Sequence, residues 1–181
     1  SQPKVAVIGS RGRMGATVCR AVEAASDLEF VGGFDMGDEL GDLGGADVVV
    51  EFSVPSASLA NVVACVRRGV HVVVGTTGWD DAKLDELRQQ LLAAPEARTG
   101  GPVGVLIAPN FALGAILMMS FAAQAARFFE SVEVVELHHP NKVDAPSGTA
   151  ARTAELIGAA RDAAGVGPVP DATTTDPDRA R

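Results

Sequence analysis

Short, nearly continuous runs of Val, Ile and Leu alternate with longer segments of helical apolar spacing from Lys4 to Pro109. The runs are residues 5–8, 29–34, 47–52, 71–74 and 103–108. They do not alternate apolar with polar, which is the pattern of strands covered on both faces. Between them, residues 13–25, 56–68 and 80–93 carry apolar positions at helical spacing, with Pro55 and Pro95 as punctuation. That order predicts an α/β domain of βαβ units around a parallel sheet. After residue 108 the rhythm changes. A long helix rich in Ala, Leu and Met is expected at 113–129, a strand with polar ends at 132–139, and a helix from Ser147 that fades by Gly165. The pattern divides the chain into residues 1–110 and 111–181. One strand between two helices cannot close a core, so the second domain is expected to be incomplete. The final GVGPVPDATTTDPDRAR has no hydrophobic face and reads as loop or disorder.

The 181 residues leave room for one full core, or for one domain and part of a second. A composition 47% hydrophobic and 21% charged belongs to a globular chain. The formal charge of -8 argues against a nucleic-acid surface, so an anionic ligand needs a local basic pocket. Cys19 and Cys65 lie far apart in helical segments without CxxC spacing and are expected to be core thiols. The longest apolar run, from Phe111, lasts about a dozen residues against the roughly 20 needed to span a bilayer. The opening SQPKVAVIGS carries no signal pattern, so the expected location is cytoplasmic, with no membrane partner.

The first strand runs straight into Gly9-Ser10-Arg11-Gly12-Arg13-Met14-Gly15 and the first helix. Glycines at such a turn let the backbone fold tightly, admit a pyrophosphate to the amides and let helix pack on strand. The amides and the helix dipole then favour phosphate. The spacing is G-x-x-G-x-x-G, not the commoner G-x-G-x-x-G, so its position between strand and helix carries the weight. Asp35 stands 20 positions after Gly15, at the end of the second strand, where a carboxylate accepts hydrogen bonds from an adenosine ribose. Together these features predict a Rossmann-type parallel-sheet domain binding NADH or NADPH, and the later pattern adds an α+β domain incomplete in this chain. Asp35 disfavours a ribose phosphate, whereas Arg11 and Arg13 are able to reach one. Use of both cofactors, leaning to NADH, is the expectation.

Gly75-Thr76-Thr77-Gly78 follows the fourth strand and Ala108-Pro109-Asn110-Phe111 the fifth, at the carboxyl ends where open sheets bind ligands. The Gly75 loop offers backbone groups and two hydroxyls to a nicotinamide ribose or carboxamide, with an ordinary turn as the alternative. Phe52-Ser53 is placed in the same way.

Residues 136–150 gather two of the three histidines with Lys142, Asp144 and a helix start. Consecutive strand residues point to opposite faces, so His138 and His139 diverge unless Pro140 relaxes the rule. Imidazole and ammonium groups supply protons and hold anions. Ser147 suits an N-cap, and the amides of Gly148 and Thr149 behind it form an anion site. His71 begins a strand with no polar neighbour in sequence and reads as structural. No spacing of His, Cys and carboxylates matches a metal site, and no nucleophilic triad is evident.

The run HHPNKVDAPSGTA, preceded by VVEL, together with VIGSRGRMG, the GTTGW loop and APNF, resembles bacterial 4-hydroxy-tetrahydrodipicolinate reductase, also called dihydrodipicolinate reductase. These motifs extend from Val7 to Thr149. The resemblance implies reduction of a small cyclic dicarboxylate by NADH or NADPH in the diaminopimelate and lysine pathway, without a metal, by a cytoplasmic homotetramer. It implies His138 as catalytic acid/base, Lys142 as proton donor and most sensitive position, and His139, Gly148 and Thr149 as binders of a substrate carboxylate. It implies cofactor contacts from Gly9, Ser10, Arg11, Gly12, Arg13, Met14, Asp35, Gly75, Thr76, Thr77, Ala108, Pro109, Asn110 and Phe111. The chemistry agrees. Hydride reaches a ring carbon conjugated with an imine, the product takes a proton from the protein, and two carboxylates require cations and amides.

Members of this family are similar to one another in continuing beyond the position of Arg181, through strands of a mixed sheet that completes the substrate domain and forms the tetramer. The chain is therefore expected to stop in the loop before those strands, and turnover and tetramer formation are not expected of residues 1–181 alone. Two other classes match part of the pattern. One is another oxidoreductase of amino-acid metabolism, such as a semialdehyde or diaminopimelate dehydrogenase. An acylating semialdehyde enzyme needs a nucleophilic cysteine in a loop, which neither Cys19 nor Cys65 supplies. The other is an inactive or sensor-type dinucleotide-binding fragment, which needs the glycine turn alone.

Overall fold

The computed structural model describes residues 2–108, 110–138, 140 and 145–169. The chain forms two compact units, Ser1–Ala108 and Pro109–Arg181. In the first, β1 (Lys4–Ile8), α1 (Arg13–Ala24), β2 (Glu29–Phe34), β3 (Val48–Glu51), α2 (Pro55–Val66), β4 (His71–Val74), α3 (Asp81–Leu92) and β5 (Val105–Ile107) follow in order. The strands form one sheet in the order β2-β1-β3-β4-β5, with every pair parallel. Pro55 occupies the first turn of α2, where its missing N–H costs nothing. Asp80 caps α3 by accepting from the Lys83 N–H at 2.9 Å.

Ala6, Ile8, Val49, Val72 and Val74 of the sheet pack with Val62, Cys65 and Val66 of α2 and Leu87 of α3. Val5 and Val7 on the opposite face of β1 are buried too, whereas Val48 and Val50 of β3 and His71 and Val73 of β4 on that face are only half-buried. The two-sided burial implied by the unbroken apolar runs is therefore complete in β1 and one-sided in β3 and β4. The strand order turns round at β1 and β3, so the crevice between their carboxyl ends is the natural ligand position. Burial pushes the Cys65 thiol up to about 12, that of an inert core group. Cys19 is only partly buried, because its side of α1 is incompletely covered, so the core expectation does not hold for it in full.

His71 differs from expectation, having polar partners on both ring nitrogens. Its Nδ1 accepts from the Gly104 N–H at 2.9 Å, and its Nε2 lies 2.7 Å from Thr99 Oγ1. Both partners are distant in sequence, 33 and 28 positions away, so inspection of neighbours missed them. The role is still structural: the ring ties β4 to the segment entering β5.

The second unit contains α4 (Leu113–Ala126) and α5 (Gly148–Ala163), packed on each other through buried Met119, Ala126, Thr153 and Ile157. Helix α4 ends three residues before the expected 129. The buried Arg161 of α5 explains the ending, since its guanidinium donates to the carbonyls of Ala126, Phe129, Glu130 and Gly167 at 2.6–3.3 Å. Open carbonyls at a helix end need donors, and the planar fork of an arginine supplies several at once.

The strand expected at 132–139 is not formed over the described residues 132–138. A strand persists when a neighbour pairs its N–H and C=O groups, and among the described residues of this unit there is no other strand. Val135 and Leu137 are accordingly exposed, as are Leu113 and Phe121 on α4. Among the described residues no helix is long and apolar enough to cross a membrane.

Candidate active site

The glycine turn sits at the crevice between β1 and β3. Gly9 has φ +81°, and a Cβ there would lie 2.1 Å from the Phe52 carbonyl oxygen. A Cβ at Gly15 would lie 1.9 Å from the Gly9 oxygen. Strand, turn and helix thus approach more closely than any side chain permits. Gly12 caps α1 without a side-chain bond, and no acidic residue occupies the first turn. Among the described residues, the N–H groups of Arg13, Met14 and Gly15 have no acceptor. They and the helix dipole form a cradle for an anion. A cavity of about 550 Å³ adjoins it, bordered by Gly9, Gly12, Asp35, Asp38, Ser53 and Asn61. Its size and its open amides fit a dinucleotide.

Asp35 lies on that cavity with its carboxylate fixed by backbone. Oδ2 accepts from the Arg11 N–H and Oδ1 from the Met36 N–H, both at 2.8 Å. These donors hold its carboxyl below the usual carboxylate range. Each oxygen keeps a second lone pair for a ribose hydroxyl.

Asp38, which sequence reasoning missed, accepts at Oδ2 from Arg11 Nη2 at 2.6 Å and from the Asp35 N–H at 2.8 Å. The hydrogen bond from Arg11 is the main cause lowering its carboxyl, and the reciprocal bond raises the Arg11 guanidinium. Arg11 is therefore already paired, rather than open to a phosphate as expected. Arg13 is exposed, and its guanidinium has no partner among the described residues.

A second unanticipated carboxylate, the fully buried Glu51, ends β3. Its Oε2 accepts from Ser58 Oγ at 2.7 Å, and its Oε1 accepts from the Ser53 N–H at 3.1 Å and from Ser53 Oγ. The Ser53 N–H also reaches Thr76 Oγ1 at 2.9 Å, and Asn61 Nδ2 donates to Ser53 Oγ at 3.2 Å. One buried acid thereby joins the β3 turn, α2 and the Gly75 loop. Thr76 is buried in this network, while Thr77 is exposed. Ala108 donates to the Val74 carbonyl at 2.9 Å, in line with the β4–β5 ladder.

In the second unit, His138 Nε2 lies 2.7 Å from Glu136 Oε2. Both Glu136 oxygens accept from the Ser147 N–H, at 3.0 and 3.1 Å. Ser147 Oγ in turn accepts from the Ala150 N–H at 3.1 Å. Gly148 and Thr149, the first residues of α5, present N–H groups without acceptors among the described residues. Asn110, expected at a cofactor, has its side chain engaged within this unit: Nδ2 donates to Thr149 Oγ1 at 2.9 Å and Oδ1 accepts from the Ala112 N–H at 2.7 Å. His139, Lys142 and Pro109 lie outside the described residues. Among those described, no group of three or more His, Cys, Asp or Glu could hold a metal ion.

Hydrogen bonding from Ser147, and next from His138, pulls the Glu136 carboxyl from 4.5 down to about 2. A depressed folded pKa contributes stability above the unfolded value and loses it as pH falls through the folded one. The anchorage of α5 by Glu136 is therefore expected to be complete above about pH 4.5 and to weaken from there down through about pH 2. The Ser147 amide resonance, followed by NMR during acid titration, should move with a midpoint near the lower value. A midpoint at the ordinary glutamate position would mean that the contact is absent.

The family model described as dihydrodipicolinate reductase, N-terminus, matches residues 3–45 and 35–111, and that for the C-terminus matches residues 114–176. The chain is 57% identical to 4-hydroxy-tetrahydrodipicolinate reductase from Streptomyces griseus, over 100% of this chain and 71% of that protein. It is also 57% identical to the enzyme of that name from Nocardia farcinica, over 98% of this chain and 70% of the other. Among solved structures, dipicolinate-bound dihydrodipicolinate reductase from Paenisporosarcina sp. TG-14 is similar, with TM-score 0.68 and 32% identity. That match covers 89% of this chain and 67% of the other. A myo-inositol 2-dehydrogenase from Lactobacillus plantarum, 11% identical with TM-score 0.51, shares the fold over 69% of this chain and 42% of its own.

Proposed function

The chain belongs to the dihydrodipicolinate reductase family, and we propose that it reduces 4-hydroxy-tetrahydrodipicolinate to tetrahydrodipicolinate with NADH or NADPH. The observation that carries this is the presence in one chain of two open helix N-termini, each beside a fixed carboxylate: α1 with Asp35, and α5 with the Glu136–His138 pair.

The nicotinamide supplies hydride when the dinucleotide is bound. The chain's own residues do the rest. The N–H groups of Arg13, Met14 and Gly15, with Gly12, Ser10 and Gly9 around them, hold the pyrophosphate, and Asp35 accepts the adenosine ribose hydroxyls. Gly75, Thr76 and Thr77 serve the nicotinamide end, and Ala108 to Phe111 are assigned to the cofactor as well. The side chain of Asn110 is occupied elsewhere, so Asn110 offers its main chain. The Gly148 and Thr149 N–H groups, with His139, take a substrate carboxylate. His138, steadied by Glu136, acts as acid/base, and Lys142 delivers the proton that accompanies reduction. A cytoplasmic homotetramer in diaminopimelate and lysine biosynthesis goes with this assignment.

The test is loss of NADH absorbance with freshly generated 4-hydroxy-tetrahydrodipicolinate. It is run on the chain alone and on the chain extended with the remaining portion of the Streptomyces griseus relative. Turnover in either form supports the assignment. NADH binding without turnover in both would favour a sensor, and absence of binding and turnover would overturn the proposal. Dipicolinate, bound in the Paenisporosarcina relative, serves as the unreactive ligand for the substrate side.

A further inference from the structure

The hydrogen bonds around Arg11 bear on which dinucleotide is preferred. We propose that Asp38 sets the balance between NADH and NADPH by holding the Arg11 guanidinium away from a 2′-phosphate. The inference rests on the assignment of the β1–β3 crevice as the dinucleotide site.

Asp38 is fixed independently of Arg11, because the oxygen that takes Arg11 Nη2 also accepts the Asp35 N–H. Arg11 is held at both ends. Its own N–H is bonded to Asp35 Oδ2, and its Nε lies 3.9 Å from the same oxygen. Asp35 and Asp38 both border the cavity, with Met36 and Gly37 between them. A ribose with a free 2′-hydroxyl needs an acceptor there, which Asp35 provides. A 2′-phosphate instead meets two carboxylates and one guanidinium that is already engaged, a local charge of minus one.

Replacing Asp38 by Asn keeps a carbonyl oxygen to accept the Asp35 N–H, so the turn is retained. It removes one repelling charge and frees a planar fork suited to phosphate. Because Arg11 is largely exposed, the hold is of the modest kind found at protein surfaces. The expected shift is correspondingly limited, about fivefold in the ratio of the two affinities. Arg13, at the first position of α1, is present in either case and does not account for the change.

Dissociation constants for NADH and NADPH are measured by fluorescence titration at constant ionic strength for the parent chain, Asp38→Asn, Arg11→Ala and the double variant. The ratio is expected to move about fivefold toward NADPH in Asp38→Asn, and the double variant should move clearly less relative to Arg11→Ala, by the loss of the repelling charge alone. An unchanged ratio in Asp38→Asn overturns the proposal. So does a gain that is equally large without Arg11, since the effect would then not pass through the guanidinium. Failure of the parent chain to bind either dinucleotide overturns the crevice assignment as well, whereas binding with an unmoved ratio overturns only the role of Asp38.

Discussion

Replacing Lys142 with alanine is expected to lower turnover by about a thousandfold while leaving the NADH dissociation constant within about twofold of the parent value. A positioned acid contributes roughly 10²–10⁴ to a rate. Here the proton must arrive at a ring that carries two carboxylates, in a chain of formal charge -8, so a local ammonium serves both as donor and as counter-charge. The residues assigned to the cofactor's adenosine and pyrophosphate all fall in Ser1–Ala108, whereas Lys142 falls in Pro109–Arg181, so dinucleotide affinity should not follow turnover. Lys142→Arg separates the two contributions. Arginine keeps the charge but does not release its proton in this pH range, so KM should stay close to the parent while kcat remains low. Steady-state kinetics on the form of the chain that turns over, with NADH titration beside it, reads both quantities. Parent-like turnover by Lys142→Ala would remove the proton-donor role.

Gly15→Val should abolish measurable NADH binding, a loss of at least about a hundredfold, and cost about 3 kcal/mol of stability. The Cβ position lies 1.9 Å from the Gly9 oxygen and 2.6 Å from its carbonyl carbon, both backbone atoms. Gly9 cannot retreat, since its N–H is bonded to the Phe34 carbonyl at 2.8 Å and its own oxygen accepts from Gly12 N at 3.1 Å. Helix α1 would therefore have to tilt away, carrying with it the free amides of Arg13 and Met14. Gly12→Ala is the comparison, because a Cβ there meets only the Gly9 oxygen, at 3.3 Å. Thermal unfolding of Gly12→Ala should stay near the parent while that of Gly15→Val falls, and a Gly15→Val chain that binds NADH normally would contradict the cradle.

The sheet was legible because its signal is local. The apolar runs of β1, β3 and β4 are uninterrupted, and the segments between them carry helical spacing up to their caps. Asp35 was legible as well, since the end of the second strand and the interval from Gly15 can both be counted. The strand expected around Val134 and Val135 had the right side chains, yet a ladder needs a partner that no run of residues can announce about itself. The same limit hid Arg161, whose acceptors Ala126, Phe129 and Glu130 lie 31–35 positions back along the chain.

The glycine turn, the helix start at Ser147 and the order of strands and helices were determined by the sequence itself. Each follows from backbone freedom, side-chain period or capping within a few residues. Tertiary structure decided the electrostatic pairings: Arg11 with Asp38, 27 positions away, Glu51 through Ser53 to Thr76, and Glu136 with the Ser147 amide, 11 positions on. Those groups are strangers in the chain, and a carboxylate takes the nearest donor only after the folded backbone has determined which donor is near.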